Sequence, residues 1–312
     1  MTTVLAQINR DIEQKIFPGC AFALVRGDEV IEEHWLGSAA VEAEVLPFTG
    51  REMRWDLASV SKVVGVGTVC INLILGGQLK LDQPLATLYP AWHEDTVTLK
   101  QLLTHTSGID PFIADRNQMG LDELVAAMNQ LKVTTDKAFH YTDVNFILLG
   151  FMLETLYQQS LDQIFEKELF QPWEMSQTSF GPVANAVPTS LDVPIGTVHD
   201  PKAQVLGVHA GSAGLFSTLP DLINFVKAYF SNEKYLKLLT NYAEPAKARS
   251  LAWDLLEDNW LLHTGYTGPF ILLNLQAQKA VIFLTNRVHF RDDRAGWIQD
   301  RNRLIDLFLQ EF

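Results

Sequence analysis

Trp55-Asp56-Leu57-Ala58-Ser59-Val60-Ser61-Lys62-Val63-Val64 sets a serine just ahead of a long apolar, helix-compatible run, with a lysine three residues further on. If a helix starts at or near Ser59, the i, i+3 spacing puts hydroxyl and amine on one face, within reach of each other. A serine hydroxyl is a weak nucleophile until a nearby base takes its proton. A lysine among apolar residues can have its pKa lowered enough to act as that base, and the helix amino terminus would favour an oxyanion formed on attack. The alternative is a helix cap beside a snorkelling lysine. The pattern alone does not decide, since about one Ser-x-x-Lys is expected by chance in a chain of this size. A second copy, Ser231-Asn232-Glu233-Lys234, is polar throughout and reads as the solvated end of a helix.

The run continues through Val63, Val66, Val69, Ile71 and Leu73 to Gly76-Gly77. Apolar nearly all round, it is expected to be one buried helix, with Gly65 and Gly67 admitting another backbone. Upstream, Val4, Ile8, Ile12 and Ile16 mark an amphipathic first helix stopped by Pro18-Gly19. Strand-like runs 20–26 and 29–36 follow, joined by a Gly27-Asp28 hairpin turn, and then an irregular stretch through Pro47 and Arg51.

From Leu81 to about Leu206 the pattern is helical with many breaks. Helices are expected from Thr98 to near His105, over 121–131, over 144–156, and after a capping box at Ser160-Leu161-Asp162-Gln163. The last third holds an amphipathic helix over 221–230, strands over 260–263, 270–275 and 280–285, and a closing helix over 294–312. The fold class is therefore α/β (α+β). One antiparallel sheet is built from both chain ends and flanked by helices, as residues 1–80 and 207–312, with a mostly helical lobe, 81–206, inserted between them.

Composition narrows the function. A net charge of -13 argues against a nucleic-acid partner, because phosphate binding draws on clustered Lys and Arg. Cys20 and Cys70 stand alone in apolar contexts and read as buried free thiols. The eight histidines, among them His105, His140, His199 and His209, show no His-Glu-x-x-His or comparable ligand spacing, so neither metal nor cofactor is expected. The amino terminus lacks a basic region followed by an apolar core, and no run is read as a membrane span. A cytoplasmic protein is expected, with a trimmed leader as the open alternative.

Two further clusters follow the Ser59 motif in order. His140-Tyr141-Thr142-Asp143-Val144-Asn145 lies where a loop enters a helix, and Tyr141 is the only one of seven tyrosines with Asn or Asp two places later. His263-Thr264-Gly265-Tyr266-Thr267-Gly268 ends a strand, where small residues would let a substrate backbone come close. Ser-x-x-Lys, Tyr-x-Asp and His-Thr-Gly in this order resemble the serine β-lactamase and penicillin-binding-protein superfamily, most of all its class C branch with the D-alanyl-D-alanine carboxypeptidases and esterases. Residues 101–109, 207–218 and 285–289 carry the same likeness, which spans nearly the whole chain.

The resemblance implies an acyl-enzyme on Ser59, with Lys62 and Tyr141 sharing proton transfer and the backbone N–H groups of Ser59 and Tyr266 forming an oxyanion hole. Asp143, His263, Thr264, Gly265 and Tyr266 would bind substrate, a small acyl compound or peptide. Two departures bear on that substrate. The third motif usually opens with Lys, and His263, charged only in part, would hold a carboxylate less well, so His263→Lys is expected to improve carboxylate binding. The second motif usually ends in Asn, and Asp143 offers no amide donor while adding negative charge. Both point from penicillin hydrolysis toward an esterase or peptidase. The alternative is a catalytically weak penicillin-binding-like module with a binding role. His199, Asp200 and His209 are expected beside the cleft as loop structure, Arg54 and Asp56 as braces of the helix start, and Trp92, Trp173 and Trp260 as core or pocket wall.

Overall fold

The structure is a computed structural model that describes residues 1–39, 50–243 and 247–312, so the expected irregular stretch through Pro47 lies outside the described residues. In chain order the elements are α1 (Thr2–Glu13), β1 (Gly19–Arg26), β2 (Glu29–Gly37), β3 (Trp55–Asp56), α2 (Thr68–Leu75), α3 (Leu99–Leu103), α4 (Leu121–Asn129), α5 (Val144–Tyr157) and α6 (Leu161–Phe165). They continue with β4 (Ser179–Phe180), α7 (Pro201–Leu206), β5 (Leu215–Ser217), α8 (Leu219–Phe230), β6 (Asp254–Leu255), β7 (Trp260–Thr264), β8 (Phe270–Asn274), β9 (Lys279–Thr285) and α9 (Arg294–Glu311).

Six strands form an antiparallel sheet in the order β2-β1-β9-β8-β7-β6. The pairing of Cys20 with Thr285 through Arg26 with Lys279 joins the two ends of the chain, as their strand patterns predict. Alternation along β1 sends Cys20, Phe22 and Leu24 to one face, where Val4 and Ile8 of α1 and Leu304 and Phe308 of α9 cover them. Ala21, Ala23 and Val25 point the other way, into a second core with α2, α5 and α8. Each large side chain so buried contributes about 1.5–3 kcal/mol. Cys20 and Cys70 are buried and free.

The run after Ser59 is not one helix. A 3-10 turn covers Ala58–Val60, Ser61 and Lys62 are α-helical, a π-helical stretch covers Val63–Gly67, and the α-helix resumes over Thr68–Leu75. The break falls at Gly65 (φ -108°, ψ -105°), where an added Cβ would stand 2.6 Å from the Phe165 ring. At Gly67 it would meet the Lys62 carbonyl at 2.6 Å and the Ala252 Cβ at 2.8 Å. The two glycines therefore admit a ring, a methyl and the chain's own preceding carbonyl, and not a second backbone. The stretch Ala58–Leu75 is long and apolar enough to cross a membrane, contrary to the sequence reading, but 78% of it is buried inside the fold, as in a core helix.

Thr98 caps α3 with the reciprocal Gln101 bond of a capping box. Ser160 does not: its hydroxyl donates to the Asp162 carboxylate and accepts from no backbone N–H of α6. A three-stranded sheet, β3-β5-β4, escaped sequence reading because two- and three-residue strands show no periodicity. It holds the Ser59 turn. Leu57 N donates to Leu215 O at 3.0 Å, Leu215 N donates to Ser61 Oγ at 3.2 Å, and β4, within 81–206, pairs with β5 beyond it.

Candidate active site

Ser59 sits in a turn braced from three sides. Asp56 accepts from Ala58 N and His199 N, each at 2.8 Å, and its own carbonyl accepts from Thr267 Oγ1 at 2.9 Å. Burial pushes the Asp56 carboxyl up to about 6 against those two N–H bonds. Ala58, just before the serine, is held at φ 44°, a left-handed conformation that a β-carbon disfavours. Arg54, the other expected brace, bonds Gln177 Oε1 at 2.8 Å.

Lys62 Nζ lies 2.9 Å from Ser59 Oγ, 2.8 Å from Asp143 Oδ1 and 2.9 Å from the Ser212 carbonyl, with its side chain fully buried. Those three acceptors match the three N–H groups of an ammonium, leaving no lone pair. Burial alone would lower the Lys62 pKa, but the Asp143 carboxylate and Tyr141 beside it hold the pKa above the usual lysine range. The lowered pKa expected from an apolar setting is therefore not found.

Tyr141 and Asp143 reach the site through His105. The His105 carbonyl accepts from His140 N at 2.8 Å, and its Nδ1 faces Thr142 N at 3.4 Å and Asn145 Nδ2 at 3.0 Å. The His105 and Tyr141 ring centroids are 4.4 Å apart, and the Lys62 ammonium is 5.2 Å from the Tyr141 ring centroid. Burial, with Arg249 and Lys62 nearby, holds His105 well below the usual histidine range, so Nδ1 serves as an acceptor. Asp143 stands just before α5, whose residues Val144 to Leu153 are all buried, with no side-chain bond to the helix. Its second oxygen pairs with Lys202 Nζ at 3.1 Å. Burial would raise the Asp143 pKa, but the two lysines carry it below the usual carboxylate range. The negative charge expected from Asp143 is thus neutralised where it stands.

The third motif is set deeper than expected. His263 is 4% exposed, and burial together with the Lys62 and Arg249 charges brings its pKa down to about 3. It is neutral, not partly charged, because it is buried and two cations already face it. Thr264 Oγ1 accepts from Arg301 at 3.3 Å. A Cβ at Gly265 would meet the Leu57 carbonyl and the Pro269 ring, each at 2.7 Å, so the close neighbours that require glycine are the Ser59 turn and the chain just ahead. Tyr266 and Thr267 do line the cleft, and among the described residues neither the Ser59 nor the Tyr266 backbone N–H has a hydrogen-bond acceptor.

The cleft has a volume of about 550 Å³, and Ser59, Tyr141, Asp143, His199, Lys202 and Arg294 are among the residues lining it. His199 stacks on Tyr266 at 5.7 Å, and Asp200 caps α7 by accepting from Ala203 N at 2.9 Å. His209 does not reach the cleft: it pairs with Glu154 at 2.6 Å in a separate groove. Trp92 and Trp260 are buried and Trp173 half-buried, none of them on the cleft wall. Sequence reading missed Lys202. Asp200-Pro201 signals a helix start, but nothing local says that the next residue turns to Asp143. Among the described residues no three His, Cys, Asp or Glu side chains converge as a metal site.

The family model for beta-lactamase matches residues 6–304. An Escherichia coli (strain K12) protein, provisionally described as a D-alanyl-D-alanine carboxypeptidase, is 22% identical over 91% of this chain and 82% of its own length. Protein flp of Staphylococcus aureus (strain N315) is 24% identical over 89% of this chain, which spans 61% of that relative. Among solved structures, EstCE1, a hydrolase with promiscuous acyltransferase activity, superposes with TM-score 0.79 at 19% identity, covering 97% of each chain. A class C beta-lactamase superposes with TM-score 0.78 at 18% identity, covering 98% of this chain and 95% of that one. The antiparallel sheet closed by both termini is thus the fold of those enzymes, and with the family pattern running through nearly all its residues the chain belongs to the beta-lactamase family.

Proposed function

We propose that the protein is a serine acyl hydrolase that forms an acyl-enzyme on Ser59 from an ester or amide substrate. The observation that carries this is the 2.9 Å contact between Ser59 Oγ and a buried Lys62 whose other contacts are already filled. Lys62 donates to Ser59 Oγ, so the hydroxyl's own proton must pass to another group. Tyr141, against Lys62 and open to the cleft, is assigned as the relay, taking the Ser59 proton while handing its own phenolic proton to the leaving group. The Ser59 and Tyr266 N–H groups would receive the oxyanion, with the fixed Lys62 charge close by.

Esters are the favoured substrates, because neutral His263 supplies no charge for a substrate carboxylate. A second reading, a carboxypeptidase acting on small peptides, is favoured by Arg116 and Arg294, which line the cleft and have no ion-pair partner among the described residues. Intact mass spectrometry with a fluorophosphonate probe and with benzylpenicillin, alongside Ser59→Ala, separates these readings. Probe labelling and short-ester turnover that vanish in a folded Ser59→Ala variant are expected, and a penicillin adduct would favour the peptidase. Ester turnover at the parent rate in Ser59→Ala would refute the assignment. A parent that is never labelled would favour a binding module.

A further inference from the structure

We propose that Lys202 is a positioning residue of this site: it pins the Asp143 carboxylate so that one oxygen stays on Lys62 and Lys62 stays on Ser59 Oγ. The inference rests on Ser59 and Lys62 acting as assigned above. Its basis is a row of alternating charges. Lys62 meets Asp143 Oδ1 at 2.8 Å, Asp143 Oδ2 meets Lys202 at 3.1 Å, and Lys202 meets Asp200 Oδ2 at 3.0 Å. The side chains are 0%, 27%, 15% and 24% exposed in that order, so water screens the inner end least.

The row is anchored at its outer end by backbone. Asp200 caps α7, Pro201 occupies its first turn with a fixed φ, and Lys202 follows at once, so its Cα is set by a helix start and not by a free loop. A carboxylate gripped by one lysine on each oxygen cannot rotate. With Lys202 gone, Asp143 could turn both oxygens to Lys62 or swing to the cleft, and in either case the Lys62 contact with Ser59 Oγ would loosen. Lys202 also shares the Asp143 charge, so its loss leaves that charge to Lys62 alone. The groups facing Lys62 are Asp143, Tyr141, His105 and His263, both histidines being neutral, and those facing Lys202 are Asp143 and Asp200.

Lys202 acts through Asp143, and a double-mutant cycle reads this directly. The pH dependence of kcat and kcat/KM for a short p-nitrophenyl ester would be measured for the parent, Lys202→Met, Lys202→Arg, Asp143→Asn and Asp143→Asn with Lys202→Met. Lys202→Met is expected to lower kcat roughly 10- to 100-fold with little change in KM, as for a small misplacement of a reacting group. Lys202→Arg should recover most of the rate. In the Asp143→Asn background the same substitution should change the rate less than about threefold. A parental kcat in Lys202→Met, or an equal loss in both backgrounds, would overturn the proposal. Cooperative thermal unfolding checks each variant, and Lys202→Gln replaces Lys202→Met if the latter does not fold. Fluorophosphonate labelling separates the two levels: a parent unlabelled at Ser59 removes both assignments, whereas a labelled parent with an indistinguishable Lys202→Met removes this one alone.

Discussion

Asp143→Ala removes the acceptor that Lys62 meets at 2.8 Å and Lys202 at 3.1 Å. The two lysines are not left alike. Lys202 keeps Asp200 at 3.0 Å, whereas Lys62, with 0% exposure, keeps only neutral oxygens, the Ser212 carbonyl and Ser59 Oγ, at 2.9 Å each. Removing one member of a buried pair costs about 3–5 kcal/mol, and the partial exposure of Asp143 places this case at the lower end, about 3 kcal/mol. Urea denaturation at neutral pH measures it, and its pH dependence identifies the cause. In the parent the folded Lys62 pKa lies above its unfolded value, so the stability it lends is complete below about pH 10 and is lost as pH rises further. In the variant only Tyr141 still opposes burial and the folded pKa falls below the unfolded one, so stability climbs with pH across that interval. The gap between the two proteins should therefore narrow from pH 7 toward pH 10. It should also narrow below about pH 4, where the parent loses the contribution of its depressed Asp143 carboxyl. A loss under about 1 kcal/mol, or one that is constant from pH 7 to 10, would refute the view that an ion pair holds Lys62 charged.

Tyr141→Phe should slow acylation by roughly two to four orders of magnitude while leaving the unfolding midpoint near the parent's, and pre-steady-state ester kinetics would show it. A near-normal rate would return the proton to Lys62. His263→Lys, expected from sequence to improve carboxylate binding, should instead destabilise the fold by at least about 2 kcal/mol, because it adds a buried cation where Lys62 and Arg249 already face the ring. An undiminished denaturation midpoint together with tighter binding of carboxylate-bearing esters would restore the sequence-based view.

Much of this was legible from local order. The short apolar runs of β1, β8 and β9 and the helical stripes of α1 and α9 announce a sheet covered by the two terminal helices, since burial is decided residue by residue along an element. The i, i+3 spacing likewise placed Lys62 beside Ser59, a contact made within one turn. The β3-β5-β4 sheet lay beyond that logic, because strands of two or three residues carry no period and exist only through their partners. So did the break at Gly65, which depends on the Phe165 ring arriving from α6.

Charge was the least legible of all. From sequence, Lys62 was a lysine to be neutralised by apolar neighbours, Asp143 a surplus negative charge, and His263 a half-charged substitute for lysine. The tertiary structure reverses each. Residue 202 comes to residue 143, residue 143 to residue 62, and residues 62 and 249 to residue 263, so the ionised groups settle one another. Hydrophobic patterning is a property of each element and can be read along the chain, whereas a protonation state depends on burial and on charges within a few ångströms, and only folding brings those together.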